Sequence, residues 1–341
     1  MIFRRAAWTA LIGFVLTAAF VIGSAELGAQ TVPSRISFQI LTGSTGGSYF
    51  PLGQLIAGLI SHPPGVDRCA AAGTCGPAGL VISARTSDGA VANVLAVNAG
   101  QADSGFAQQD VIAAAVAGTD PFRKAGKQDH IRILAQLFSE DVHLLVAAKG
   151  TIKTVADLRG KRVSLGADSS GTSVTARAIL SAYGIPVRRI KASHNASDVD
   201  AQLLQKGEID AFFFVGGKPV TLVDDLLARG VARLVPIDGA GRARLLKSEP
   251  MLSADNIRAG TYRNTGAVAT VSVPAYWIVN ASVPENVVYG IAKALFSVGN
   301  RAALRDNPLS TTIRVSDTTT KLPAPLHPGA AHYFHDAGVL H

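Results

Sequence analysis

The sequence is poor in charge, in aromatic side chains and in cysteine. Of its 341 residues only 16% are charged and 6% are aromatic, whereas 48% are apolar. A disordered chain has the opposite balance, with few apolar and many charged residues, so this composition excludes disorder. Its 34 Gly and 16 Pro follow no G-X-Y period, which excludes a collagen-like chain. At roughly 100–200 residues per domain, the length predicts two domains.

The sequence also lacks the common motifs of catalysis and nucleotide binding. It contains no P-loop, no G-x-G-x-x-G fingerprint and no G-x-S-x-G nucleophile elbow. Three histidines, His327, His332 and His335, cluster near the C-terminus, and a metal site there would need helix-face spacing and usually a carboxylate or thiolate partner. We therefore predict no catalytic residue, no cofactor and no metal. A secreted hydrolase that uses Ser170 is kept as an alternative.

The N-terminus has the pattern of a secretory signal. Arg4 and Arg5 precede an apolar run, and small residues follow it up to Ala29. We predict a signal peptide over residues 1–29, cleaved after Ala25 or Ala29, and hence a periplasmic protein; the alternative is a retained N-terminal anchor. Removing this segment changes the net charge from +8 to +8 − 2 + 1 = +7. The basic residues are scattered and aromatics are few, so we predict no binding of nucleic acid.

The two cysteines, Cys69 and Cys75, both lie downstream of the predicted signal. In an oxidising compartment such a close pair usually forms a disulfide. The alternative, a metal site, would need two further ligands, and none lies nearby in the sequence. The residue pattern favours the disulfide.

One supersecondary pattern occurs twice along the chain. Arg35–Leu41 is predicted as a strand and runs through a Gly- and Ser-rich turn, residues 42–53, into a helix. Lys161–Leu165 is a second predicted strand, followed by the turn G-A-D-S-S-G-T at residues 166–172 and a helix to about Tyr183. This order of elements predicts an α/β protein.

The similarity between the two occurrences of this pattern continues further along the chain. A helix over Ala90–Asn98 and a helix over Val199–Gln205 each end in a Gly, followed by an Asp and an apolar strand. Later, strand character over Val268–Val279 is interrupted by Pro274, and a helix follows. We interpret the chain as two α/β lobes with buried parallel sheets and a ligand cleft between them, crossed twice by the chain at a hinge.

The two glycine-rich turns are the strongest candidates for ligand binding. Each precedes a helix whose first N–H groups are unpaired and whose dipole favours an anion. Gly/Ser/Thr turns can equally be ordinary helix caps. Gln108 and the turn at Gly217 and Pro219 follow apolar strands, where a strand end would reach the cleft. Arg85 can pair with a carboxylate, or it can be a surface cation.

Three segments of the sequence are specific: G-S-T-G-G-S-Y-F-P-L-G (43–53), C-A-A-A-G-T-C-G-P-A-G-L (69–80) and Q-A-D-S-G-F-A-Q-Q-D (101–110). In these segments the chain resembles the TAXI family of solute receptors that serve TRAP transporters. The resemblance implies a type II periplasmic-binding-protein fold that captures glutamate, 2-oxoglutarate or a related acid. It also implies docking of a monomeric receptor onto the membrane subunits of a TRAP transporter; a sensor as partner is the alternative.

The resemblance also implies a set of ligand-binding residues. Together with Arg85, which the family does not share, the expected contacts are Thr45, Gly46, Gly47, Tyr49, Asn93, Gln108, Ser170, Gly171, Thr172, Gly217 and Pro219. We expect lobe I to comprise residues 30–145 plus 275–341, and lobe II residues 146–274. Where the family usually has Ser, this chain has Ala90, so one hydroxyl contact is missing.

Overall fold

The computed structural model describes residues 34–66, 69, 73–318 and 320–340. The predicted signal segment, residues 1–29, and its cleavage sites at Ala25 or Ala29 lie outside these residues. Within the described ranges, no helix is both long enough and apolar enough to cross a membrane.

Ten strands and eleven α-helices are found in the described residues. The strands are β1 (Ile36–Leu41), β2 (Leu80–Arg85), β3 (Ser104–Gln108), β4 (Ile131–Ala147), β5 (Arg162–Ser164), β6 (Lys191–Ser193), β7 (Ala211–Gly216), β8 (Ala232–Val235), β9 (Ser253–Ile257) and β10 (Val268–Asn280). The helices are α1 (Tyr49–Ile60), α2 (Ala90–Asn98), α3 (Gln109–Ala117), α4 (Gly171–Ala182), α5 (Ser197–Lys206), α6 (Thr221–Ala228), α7 (Gly239–Ser248), α8 (Glu285–Leu295), α9 (Val298–Asp306), α10 (Val315–Thr318) and α11 (Pro328–Asp336).

All ten strands belong to one mixed sheet. Its order is β2-β1-β3-β10-β4-β7-β5-β6, with β8 on β4 and β9 on β10. The pairs β1–β2, β1–β3, β5–β6 and β5–β7 are parallel, as βαβ connections require. The expectation of purely parallel sheets is wrong, because the long strands β4 and β10 run antiparallel to each other and to their other neighbours.

The strands β4 and β10 join two halves of the sheet. The end of β10 lies between β3 and the start of β4, whereas the end of β4 pairs with β7 and β8. We call β1–β3 with α1–α3, α8 and α11 the first half, and β5–β9 with α4–α7 the second half. The chain passes to the second half along β4 and returns along β10.

Each half has its own hydrophobic core on both faces of the sheet. In the first half, Phe38, Phe106 and Trp277 pack edge to face and are almost completely buried. In the second half, Phe213 and Phe212 belong to two different hydrophobic clusters. The two clusters lie on opposite faces of the sheet, because successive side chains of a strand point to opposite faces. The predicted α/β fold is therefore confirmed.

Strand β10 contains Pro274, at which the sequence pattern predicted a break. The strand continues through it, and the pairing with β4 shifts register between Pro274 and Tyr276. A proline has no N–H to donate to a ladder, and a bulge is one of the places where a strand tolerates it. The single long strand keeps the two halves connected.

Candidate functional site

A cavity of about 100 Å³ lies between the two halves. The first half contributes the loops around Gly47 and Gly89 with Gln108 and Glu140, and the second half contributes the loops around Ser170 and Ala196 with the strand residues 213–215. Both glycine-rich turns singled out in the sequence therefore face one cavity.

Four helices begin at this cavity. The residues that precede α1, α2, α4 and α5 are Ser48, Gly89, Ser170 and Ala196, and all four line the cavity. The first N–H groups of a helix have no partner within the helix, and the dipole makes this end partly positive. Two helix N-termini from each half thus make the cavity suitable for an anionic group.

Gly89 allows a close approach of its backbone to that of Ser170 beside the cavity. Its φ of 110° belongs to the left-handed side that glycine adopts without strain. A Cβ at this position would lie 3.2 Å from the Cα of Ser170. Gly89 directly precedes α2.

Several hydrogen bonds cross between the halves and hold them together around the cavity. The backbone N–H of Ala92 donates to the carbonyl of Ser169 at 3.1 Å, and the hydroxyls of Ser44 and Ser197 are 3.0 Å apart. The N–H of Gly217 donates to Ser48 Oγ at 3.2 Å. These contacts show a closed arrangement of the two halves.

Gln108 and Gly171 form the tightest contact between the halves. A Cβ added to Gly171 would lie only 1.3 Å from Gln108 Oε1, so any side chain here would displace Gln108 or separate the halves. Gln108 is 2% exposed, and its Nε2 has no hydrogen-bond partner. A buried amide donor without a partner is costly, and a ligand acceptor in the cavity would satisfy it.

Tyr49 and Glu140 form a buried polar pair in the cavity wall. The Tyr49 hydroxyl donates to Glu140 Oε2 at 2.7 Å. The Tyr49 ring is fixed by edge-to-face contacts with Phe106 and Phe138. Burial raises the pKa of Glu140 well above its ordinary value, although the hydrogen bond from Tyr49 lowers it. Burial likewise raises the pKa of Tyr49.

A second buried carboxyl, Asp200, lines the other side of the cavity. Asp200 accepts hydrogen bonds from Ser164 Oγ at 2.8 Å and from Asn195 Nδ2 at 3.0 Å. Burial raises the pKa of Asp200 to about 6, against the effect of these two hydrogen bonds. The exposed Asp88 adds a third carboxyl at the mouth.

The described residues of the cavity lining include no lysine, arginine or histidine. Arg85 lies outside the cavity, where its exposed guanidinium donates to Gln39 Oε1 at 3.0 Å. The cavity therefore combines acidic side chains with helix N-termini and has no basic side chain from the described part of the chain.

The structure brings six of the twelve predicted ligand-binding residues to the cavity. These six are Gly47, Tyr49, Gln108, Ser170, Gly171 and Thr172. Thr45, Gly46 and Pro219 instead line a wider groove of about 940 Å³ beside α5 and α6, which Gly47 also reaches.

The other predicted contacts, Asn93 and Gly217, lie outside the cavity lining. Asn93 is fully buried, and its Nδ2 donates to the carbonyls of Thr42 and Phe106 at 2.7 and 2.8 Å. Its Oδ1 accepts from Ser87 Oγ at 2.6 Å. Asn93 thus holds the loops that form the cavity wall, and Gly217 anchors Ser48 through its N–H.

The sequence patterns did not single out Glu140 or Asp200. Glu140 lies within a long apolar strand, where no turn or glycine marks a site. The detectable signal was the charge itself, because an acidic residue inside a buried strand is rare unless it is paired or functional.

Two further predictions concern the cysteine pair and a serine nucleophile. Cys69 and Cys75 form a disulfide, as expected. Ser170 accepts a hydrogen bond from the N–H of Ser173 and donates to the carbonyl of Ala167, which is the role of a helix cap. In the described ranges, no three His, Cys, Asp or Glu residues are grouped for a metal ion.

The paired halves, the two crossing strands and the cavity between them define a protein of the periplasmic-binding-protein fold. A solved structure described as a periplasmic transporter is 14% identical, with a TM-score of 0.52 over 90% of this chain and 93% of that chain. MatC from Rhodopseudomonas palustris, solved with bound malate, is 14% identical, with a TM-score of 0.50 over 79% and 88% of the two chains. The chain matches the NMT1-like family over residues 40–338 and belongs to that family.

Proposed function

We propose that the protein is a periplasmic solute receptor that captures a small organic acid or amino acid and delivers it to a TRAP transporter. The observation that carries this proposal is the cavity between the two halves, at which four helices begin and which crossing hydrogen bonds close. A receptor that encloses its ligand in this way needs a small solute with at least one anionic group. The resemblance to TAXI receptors supports ligands similar to glutamate or 2-oxoglutarate.

The two halves act as lobes in this proposal. Lobe I comprises residues 30–145 plus 275–341, and lobe II comprises residues 146–274. The strands β4 and β10 are the two connections, and opening at them would separate the crossing contacts and admit solute.

The test is ligand-dependent thermal stabilisation of the purified protein. A ligand that binds only the folded state stabilises it by RT ln(1 + [L]/Kd), or about 2.7 kcal/mol when the ligand is at 100 times Kd. We expect a concentration-dependent rise in melting temperature with some members of a panel of amino acids, 2-oxo acids and dicarboxylates. A panel without any shift contradicts the proposal.

The transporter partner is tested separately. Membrane subunits reconstituted into liposomes should take up the ligand only when the purified receptor is added outside. Uptake without the receptor, or binding of the loaded receptor to a sensor domain and not to these subunits, contradicts delivery to a TRAP transporter.

A further inference from the structure

The walls of the cavity carry an unusual balance of charge for a site that is to bind an acid. Asp88, Glu140 and Asp200 line it, and the described lining residues include no basic side chain. A ligand carboxylate beside these carboxyl groups is unfavourable wherever they are ionised, because like charges in a partly dry site repel strongly. A solute with two carboxylates could place one at the helix N-termini, but no side chain along the described walls would neutralise the other.

Glu140 is fixed in the cavity wall by its neighbours. It is 2% exposed, and its Oε2 accepts a hydrogen bond from Tyr49, whose ring is held between Phe106 and Phe138. A carboxyl that is already oriented in this way loses little freedom when a ligand binds. Glu140 therefore presents a defined acceptor to the cavity.

The same cavity presents donors as well. The N–H groups at the starts of the four helices and the unpartnered Nε2 of Gln108 can all donate to oxygen atoms of a ligand. The donors suit one carboxylate, and the acceptor at Glu140 suits a group that carries N–H. A matching solute has both groups.

We infer that Glu140 is the specificity-determining residue of the cavity and selects solutes that combine one carboxylate with an ammonium group over dicarboxylates and 2-oxo acids. This inference rests on the proposed function. Removing a carboxylate from water is costly unless a partner of opposite charge compensates it, and the ammonium group of the ligand is that partner. Because burial raises the pKa of Glu140, its carboxyl keeps a proton until the ammonium group of a ligand favours the ionised form.

The experiment compares matched pairs of solutes by titration calorimetry on the purified protein. The pairs are L-alanine with pyruvate, L-leucine with 4-methyl-2-oxopentanoate, and L-glutamine with 2-oxoglutaramate. In every pair with a binding member, we expect the amino compound to bind at least tenfold more tightly, because only it can neutralise Glu140.

The variant Glu140→Gln removes the charge and keeps both the size and an acceptor for Tyr49. We expect it to weaken binding of the amino compound at least tenfold and to change binding of the 2-oxo acid less than threefold. Glu208→Gln is the matched control, since Glu208 is an exposed carboxylate at the end of α5, outside the cavity lining, and its replacement should change neither affinity. Should Glu140→Gln not fold, Tyr49→Phe removes the donor that orients Glu140 and should weaken only the amino compound.

Two results would overturn the inference. One is a 2-oxo acid or dicarboxylate that binds the wild-type protein more tightly than any amino compound. The other is an equal loss of affinity for both solutes of a pair in the Glu140→Gln variant. An unchanged melting temperature would show that this variant is folded. If no amino compound, oxo acid or dicarboxylate binds at all, the proposed function itself fails, which is a distinguishable outcome.

Discussion

At the scale of single residues, Gly171 sets how closely the two halves can approach. Its missing side chain makes room for Gln108 Oε1, which would otherwise lie 1.3 Å from a Cβ. No real Cβ tolerates such a distance, so a larger residue must keep the halves apart or displace Gln108. The glycine is needed for the closed arrangement and not for the start of α4, where other residues are acceptable.

Gly171→Ala is therefore expected to impair ligand binding with little loss of stability in the ligand-free protein. We expect the affinity for any ligand of the cavity to fall at least tenfold, because binding requires closure. Calorimetry measures the affinity and thermal melting measures the stability. Gly58→Ala is the control: Gly58 lies within α1 with open space around its Cβ position, so alanine there should stabilise by about 0.5–1 kcal/mol and leave binding unchanged. Equal affinities of Gly171→Ala and wild type would contradict the closure argument.

How much of the site could be predicted from sequence depends on what each residue does. Gly47 and Gly171 were predictable because a turn between a strand and a helix leaves a local pattern. Glu140 was not, because its position in the cavity follows from the pairing of β4 with distant strands. Asn93 was predicted as a contact, but it contributes by holding the cavity loops through their carbonyls.

At the scale of secondary structure, two serines at helix starts act differently. Ser170 caps its own helix, because its Oγ accepts from the N–H of Ser173 at 3.1 Å. Ser48 has no such bond within α1. Its Oγ instead accepts the N–H of Gly217 from the second half at 3.2 Å. One serine stabilises an element, and the other joins two elements from different halves.

The two substitutions to alanine should separate these effects. Ser170→Ala is expected to lower the free energy of unfolding by about 1 kcal/mol, the usual cost of a lost N-cap. Ser48→Ala is expected to lower ligand affinity several-fold, while the ligand-free protein loses less stability than Ser170→Ala does. Urea denaturation without ligand and calorimetry with ligand are the two measurements. The reverse ranking in urea would show that Ser48 is the structural cap.

Elements with a local pattern were predicted well, and those defined by distant partners were not. Helices α2 and α5 lie within two residues of their predicted bounds, since apolar spacing and a terminal glycine define them. The long strands β4 and β10 were missed or divided, because their length follows from pairing with several strands far away in the sequence. The mixed sheet therefore could not be read from the separate βαβ patterns.

At the scale of the whole molecule, burial of carboxyl groups is the main source of pH dependence near neutrality. Burial raises the pKa of Asp110 to about 6, that of Asp200 to about 6 and that of Asp141 to about 7, and it raises that of Glu140 as well. Asp110 also belongs to the contacts between the halves, since Thr175 Oγ1 donates to its Oδ2 at 3.2 Å. These groups hold protons in the folded protein that the unfolded chain has already lost.

Because the folded state binds more protons than the unfolded state in this range, stability should fall as the pH rises from about 5 to 7.5. One extra bound proton corresponds to a slope of about 1.4 kcal/mol per pH unit. His143 and His327 oppose this trend below pH 6.5, because burial lowers the pKa of both, that of His143 to about 4, but the four carboxyls outnumber them. Urea denaturation at pH 5 and pH 7.5 measures the difference.

The variant Asp110→Asn assigns part of this slope to one contact between the halves. Asparagine does not titrate and can still accept the hydrogen bond from Thr175, so the slope of stability against pH between about 4 and 6 should become less negative. Asp225→Asn is the control, since Asp225 is an exposed carboxylate on α6 with 55% of its side chain accessible, and the slope should stay as in the wild type. A wild-type protein that becomes more stable from pH 5 to pH 7.5 would mean that the buried carboxyls are ionised and compensated in the folded state.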